Sequence, residues 1–419
     1  MKSKFDLVEF GEIYSDEGSR NGLTKPKKVR GEGFKMINMG ELFEYDRMYD
    51  PPAERVPLDE REREKYTLQE GDLLFARQSL KREGAGKCSI VQELSEPTTW
   101  EGHLIRVRLD KGKAHPLFYY YLFSSSRGKK LMQTIVNQVA AAGIRGSDLV
   151  NLKVPKPPLP IQRRIADILG ALDDKIELNR RMNETLEAMA QALYRHWFVD
   201  FGPFQDRDFT DTEELGPIPK GWGVSDADKY AEVQYGTSFS SDYFNDEGEG
   251  WPLIKNGDLK THDPDSFTTE DTSGTILIEP GDVVVSMDGQ FRSHIWKGPE
   301  SLLNQRVCTF RPRQDHYRGY IYFAIKRPLE YYENAKTGTT VKHLNKGDIR
   351  QFRLVDPPSS VIEQFASHVE PLLDHIAHNS QENRTLAETR DYLLPKLISG
   401  EIEVEAAEEI ADERAAAQA

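Results

Sequence analysis

Two stretches of the chain repeat apolar residues at steps of three and four. The first runs through Ile165, Ile168, Leu172, Ile176, Asn179, Asn183, Leu186, Ala190, Leu193 and Trp197. The second runs through Phe365, Val369, Leu372, Ile376, Asn379, Asn383, Leu386, Leu393 and Leu397. This spacing predicts two long amphipathic helices, and a stripe so narrow suits a helical partner better than a globular core, so the two are expected to pack on each other as a coiled coil. Asn179, Asn183, Asn379 and Asn383 lie inside the stripes, where unpartnered amides cost stability; the role expected of them is to fix the register. The first helix is expected to begin near Ile161, after Pro160. The second has a capping box, Ser360-Val361-Ile362-Glu363, at its predicted start. A helix from Ile161 to Trp197 is roughly 55 Å long, comparable to about 16 base pairs of duplex DNA.

The segments that precede the helices read as mixed α and β. Gly71 to Ala76 is a turn running into an apolar strand, His103 to Leu109 alternates as a half-buried strand does, and Leu117 to Met132 has helical spacing. The same order returns as Gly281 to Ser286, Arg306 to Arg311 and Tyr317 to Tyr332. Each segment then passes through a glycine-containing loop, Val139 to Gly146 or Lys336 to His343. The recurrence is also literal. Shifted by 200 positions, Pro157, Pro158, Ala166, Leu172, Asp174, Ile176, Asn179, Asn183, Thr185, Leu186 and Leu193 match Pro357, Pro358, Ala366, Leu372, Asp374, Ile376, Asn379, Asn383, Thr385, Leu386 and Leu393. The chain is therefore two copies of one unit, each a globular head followed by a long helix. Loops of different length on a shared plan point to different ligands.

Length and charge sharpen this picture. At 419 residues the chain exceeds one core and suits two domains. The net charge of −14 disfavours a nucleic-acid partner only until its distribution is examined. Residues 76–153 hold 13 Lys and Arg against 6 Asp and Glu, and residues 289–353 hold 13 against 5. Residues 201–288, by contrast, hold 5 against 20, and residues 401–419 hold 1 against 7. Basic regions at corresponding places in both heads are the footprint expected of phosphate binding. Cys88 and Cys308 are far apart and read as isolated core residues, not as a disulfide or metal site. No apolar run reaches the length of a membrane span, and Met1-Lys2-Ser3-Lys4-Phe5-Asp6 has no apolar stretch behind it, so a cytoplasmic location is expected.

Val154-Pro155-Lys156-Pro157-Pro158-Leu159-Pro160-Ile161-Gln162-Arg163-Arg164-Ile165-Ala166 resembles the DNA specificity subunits of type I restriction-modification systems. The resemblance continues through Leu172 to Ile176, His196 to Phe201, Leu215 to Trp222 and Tyr392 to Gly400, and covers nearly the whole chain. It implies an α+β chain with two target-recognition domains in tandem pseudo-repeat, separated by two long helices packed as an antiparallel coiled coil. Each domain would read one half of a split, asymmetric site in double-stranded DNA. It further implies a subunit with no catalytic activity and no cofactor of its own. Two modification (methyltransferase) subunits would carry S-adenosylmethionine, and restriction (translocase and nuclease) subunits would join them. The expected divisions are residues 1–155 and 201–358 for the recognition domains, with the linker in the second, 156–200 and 359–400 for the helices, and a disordered acidic tail at 401–419.

Two other readings use the same residues. A coiled-coil protein-interaction scaffold without DNA readout accounts for the helices but not for the matched basic regions. A self-contained adenine methyltransferase is suggested by Asp356-Pro357-Pro358-Ser359, close to the Asp-Pro-Pro-aromatic motif that holds a flipped base. Ser359 replaces the aromatic, however, and the repeat copy Lys156-Pro157-Pro158-Leu159 has no carboxylate. Base readout needs hydrogen-bonding side chains on loops that reach a groove. The candidates in the first head are Arg77, Gln78, Lys81, Arg82 and Lys87 after a strand, and Gln138 and Arg145 in the later loop. In the second head they are Ser286, Gln290 and Arg292, with Thr337, Thr339, Thr340, Lys342 and His343 in the later loop.

Overall fold

A computed structural model describes residues 4–138, 142–270, 274–336 and 342–416. The chain divides into two compact units, residues 1–174 with 386–419, and residues 175–385. The divisions therefore fall within the long helices, and each unit owns one half of each helix.

In the first unit the apolar strands Leu73–Ala76 and Leu104–Leu109 pair antiparallel at the centre of a five-stranded sheet, flanked by Tyr14–Asn21, Cys88–Val91 and Arg47–Met48. A smaller sheet joins Phe34–Ile37 to Arg55–Val56 and Thr98–Trp100. In the second unit Val283–Ser286 and Val307–Pro312 take the central places in a four-stranded sheet, with Ala231–Tyr235 and Ser293–Ile295 at its edges. Cys88 and Cys308 are buried, free thiols, and burial pushes both pKa values up, as expected of core residues.

The expected helices form, with breaks that the sequence explains. Leu117 to Met132 is two helices, Pro116–Ser124 and Ser126–Gln133. Ser125 divides them: its hydroxyl donates to the Leu122 carbonyl (2.6 Å) and accepts from the Gly128 N–H (3.1 Å), the pattern of an N-cap. Gly128 is required there, since a Cβ would lie 1.9 Å from the Leu122 oxygen. The corresponding segment of the second head is a turn at Asp315–Tyr317 followed by helices Arg318–Ala324 and Lys326–Ala335.

The long helices run over Leu159–Phe198 and Ser359–Ser399. The second starts one residue before the expected cap, which corrects the capping-box reading. Pro358 ends the preceding segment, Ser359 already lies in the helix, and its hydroxyl donates to Glu363 (3.0 Å). Within each unit the helix halves are antiparallel. In the first, Ile165, Ala166, Leu169 and Leu172 share a core with Leu393, Leu397 and Ile398, and Arg390 pairs with Asp173 (2.7 Å). In the second, Ala190 and Phe198 share a core with Phe365, Val369, Leu373 and Ile376.

The four asparagines meet in the second unit. Asn179 donates to Asn383 (2.9 Å) and Glu382 (2.7 Å), while Asn379 donates to Asn183 (2.9 Å), which itself donates to Ser380 (3.1 Å).

The literal repeat also marks how each head is held. Tyr119 and Tyr320, on corresponding helices, donate to the carbonyls of Pro155 and Val355 respectively. Asp174 accepts from Arg47 (2.7 Å) and Tyr49 (2.8 Å) of its head, and Asp374 accepts from Arg318 of its own. Gln162, fully buried, accepts from the His115 N–H (2.9 Å) and donates to the Pro157 carbonyl (2.8 Å).

The acidic tail departs from the expected disorder. Val404–Ala416 is a helix that buries Val404 and Ala407 on the first unit, and Arg164 pairs with both Glu405 and Glu408. Apolar residues at 404, 407 and 410 make one helical face, so burial and ion pairing order a segment whose charge alone suggested a solvated chain.

Candidate nucleic-acid interface

In each head the early and the later candidate loops are brought together by backbone pairing. In the first head Gln78–Ser79 pairs with Ala142–Gly143, which pairs with Asn137–Gln138. The Ile144 N–H also donates to the Arg77 carbonyl (2.9 Å), which sets Arg145 beside the early loop. In the second head Asp288 and His343 form an antiparallel bridge, the Gly289 N–H donates to the Lys342 carbonyl (2.9 Å), and the Leu344 N–H to the Met287 carbonyl (2.7 Å). The central strands Leu73–Ala76 and Val283–Ser286 run directly into these loops, so a rigid sheet carries each pair.

The candidates differ in what their side chains do. Gln78, Lys81, Arg82 and Arg145 are exposed. The Gln78 carboxamide oxygen lies 3.2 Å from Nδ1 of His103, which the sequence did not single out. Arg77 donates to the Gly102 carbonyl (3.3 Å), and Arg82 exchanges hydrogen bonds with Gln133, tying the loop to a helix. Gln138 is placed by its strand pairing.

Lys87 departs from the expectation of a reader. Its ammonium donates to the Phe43 carbonyl (2.7 Å) and pairs with Asp46 (3.1 Å), so its charge anchors the base of the loop. Ser286 departs in the same way. It is buried, and its hydroxyl donates to the Gln290 carbonyl (2.5 Å) and accepts from the Arg292 N–H (2.8 Å), clipping the loop shut.

Gln290, Arg292 and His343 are exposed in the second head. Glu333 organises this edge, pairing with Arg292, accepting from the Phe291 N–H (2.9 Å) and offering its carbonyl to Lys342 (2.6 Å). Burial opposes ionisation of Glu333, yet Arg292 and the Phe291 N–H hold its pKa below the ordinary range. His343 lies 2.6 Å from Asp288, which also faces Arg306 (3.6 Å). Thr337, Thr339 and Thr340 lie outside the described residues.

The residues that suggested a methyltransferase do other work. Asp356 ends strand Arg353–Asp356, paired with Gly223–Asp226, and its carboxylate accepts from Tyr230 (2.5 Å) and Lys229. It ties the closing strand of the second head to that head's core. Among the described residues no helix is long and apolar enough to cross a membrane, and no group of three or more His, Cys, Asp and Glu is placed to hold a metal ion.

Known proteins resemble this chain in sequence and in fold. A family model described as type I restriction modification DNA specificity domain matches residues 3–188 and 219–388. The MjaIX type I restriction enzyme specificity subunit of Methanocaldococcus jannaschii is 26% identical, over 96% of this chain and 94% of its own. The HindI type I restriction enzyme specificity subunit of Haemophilus influenzae is 23% identical, over 81% of this chain and 88% of its own. A solved S subunit of the type I restriction-modification system from M. genitalium has the same fold, with a TM-score of 0.58, 12% identity, and coverage of 94% of this chain and 96% of its own. With two matched segments that together span most of its length, the chain belongs to the type I restriction modification DNA specificity domain family.

Proposed function

We propose that this chain is the non-catalytic, cytoplasmic DNA-specificity subunit of a type I restriction-modification complex. Each unit reads one half of a bipartite, asymmetric duplex site through its paired loops. Two modification subunits supply the methyltransferase activity together with the S-adenosylmethionine, and restriction subunits complete the assembly. The observation that carries this reading is the repeated union of an early and a later loop at the end of a central strand, once in each unit, with exposed hydrogen-bonding and cationic side chains on both. Phosphate contacts by the cations position such a loop, and the amides and guanidiniums beside them discriminate base edges. Because the loops differ in length and residues between the units, the two half-sites differ.

Grafting a relative's residues in place of Arg77 to Lys87 tests the reading. The methylation motif of the reconstituted complex is expected to change in its first half only, and a change in both halves refutes independent readers. Titration calorimetry of the isolated chain with S-adenosylmethionine is expected to show no saturable binding, and saturable binding refutes the non-catalytic assignment.

A further inference from the structure

Leu80 is the most exposed large hydrophobic residue among those described, at 99%. The turn that presents it is bonded internally: the Lys81 N–H donates to the Ser79 hydroxyl (3.2 Å), the Gly84 N–H to the Lys81 carbonyl (3.1 Å), and the Ala85 N–H to the Arg82 carbonyl (3.2 Å). It closes tightly, since a Cβ on Gly84 would lie 2.4 Å from Ser79 Oγ. On its other side Ser79 is paired to Ala142. An ordered turn thus holds an isobutyl group out in water, and Leu80 forms one wall of an open cleft of about 650 Å³ that Met39 and Phe43 also line. The neighbours Gln78, Lys81 and Arg82 are all exposed. Around this apolar tip the two cations outweigh the single carboxylate of exposed Glu83, which also lines the cleft; with the carboxamide they suit a polyanion with an apolar spot on its surface, and the 5-methyl group of thymine in the major groove is such a spot. The corresponding turn of the second head, Asp288-Gly289-Gln290, carries no apolar side chain.

Resting on the DNA-reading function proposed above, we propose that Leu80 is a specificity determinant of the first half-site, reading a thymine through van der Waals contact with its methyl group. The test uses the full complex with its modification subunits and duplexes in which each thymine of the site is replaced in turn by deoxyuridine. For the unaltered chain, one replacement in the first half-site is expected to weaken binding about fourfold, the worth of one buried methyl group. In Leu80→Ala the same replacement is expected to have no effect, and the methylation motif should accept any base pair at that position while the second half-site stays unchanged. Because Leu80 is fully exposed, its truncation removes no core packing, and Leu80→Met, which keeps an apolar tip, is expected to retain the thymine preference. Sequence-specific binding with the same deoxyuridine sensitivity in Leu80→Ala and the unaltered chain overturns this inference alone. Uniform weakening on every duplex, with the sensitivity retained, overturns it in favour of a wedge between base pairs. Absence of any sequence preference in the unaltered complex overturns the DNA-reading function itself.

Discussion

Replacing Asn183 by Ala tests whether the polar layer between the helices is matched or merely tolerated. Asn183 and Asn379 are both buried, at 7% and 5% exposure. Asn183 accepts from Asn379 Nδ2 at 2.9 Å and donates to Ser380 Oγ at 3.1 Å. Truncation removes these two hydrogen bonds and a longer one from Asn183 Nδ2 to the Ile376 carbonyl (3.4 Å), each worth about 1 kcal/mol net or less, and strands the Asn379 amide, a desolvated donor that costs about 1–3 kcal/mol. Ser380 keeps its bond to the Ile376 carbonyl (2.6 Å), so its loss is smaller. The expected destabilisation is about 3 kcal/mol. In a cooperative unit of roughly 200 residues this lowers Tm by about 6–12 °C. Because Asn379→Ala strands the same bond from the other side, the double Ala variant is expected to cost about 1–2 kcal/mol less than the two single variants together. Denaturant unfolding of the four proteins measures the cycle. Single losses below about 0.5 kcal/mol, or strict additivity, refute a matched layer.

Acid weakens the second unit through His262 and His294, whose rings lie 5.7 Å apart. Burial, with Lys297 nearby, holds His262 down to about 3 and His294 to about 4. Both stay neutral in the fold while an unfolded imidazole protonates near 6.5, so stability is full above that pH and falls from about 6.5 down to about 4 for His294 and about 3 for His262, by about 1 kcal/mol for each imidazole at pH 5.5. Urea unfolding against pH is expected to flatten in His262→Gln with His294→Gln, and an unchanged slope refutes the assignment. Arg390→Ala leaves Asp173, 10% exposed, with the Tyr121 hydroxyl (2.7 Å) as its side-chain hydrogen-bond donor among the described residues, and is expected to cost the first unit about 2 kcal/mol in denaturant unfolding. Ser286→Ala opens the loop clip of the second head; motif mapping is expected to show relaxed readout confined to the second half-site, and a change in the first half contradicts the assignment.

Periodicity made the long helices legible, and the 200-residue recurrence revealed the paired plan, because both express backbone geometry repeated over many residues. The strands Leu73–Ala76 and Val307–Pro312 were legible for the same reason. What escaped was decided by tertiary partners. The tail helix depends on Arg164, far away in sequence, and the anchoring of Lys87 depends on a carbonyl at Phe43 and a carboxylate at Asp46. Ser286 looked like a reader because a hydroxyl near a loop is chemically suited to read bases, but only the folded loop shows it turned inward. Leu80 had a signal that went unused: a lone apolar residue between Ser79 and Lys81 in a loop that otherwise reads as polar. The union of the early and later loops in each head is a long-range pairing that neither loop announces by itself.

The most direct test of the central claim is to map methylated adenines across the genome of the source cell with this gene intact, deleted, and restored. The account predicts that one bipartite motif, two unlike half-sites flanking an unspecified gap, is methylated when the gene is present, vanishes on deletion, and returns with restoration. A motif that persists without the gene, or a continuous motif that depends on it, contradicts the claim that this chain selects DNA through two independent heads.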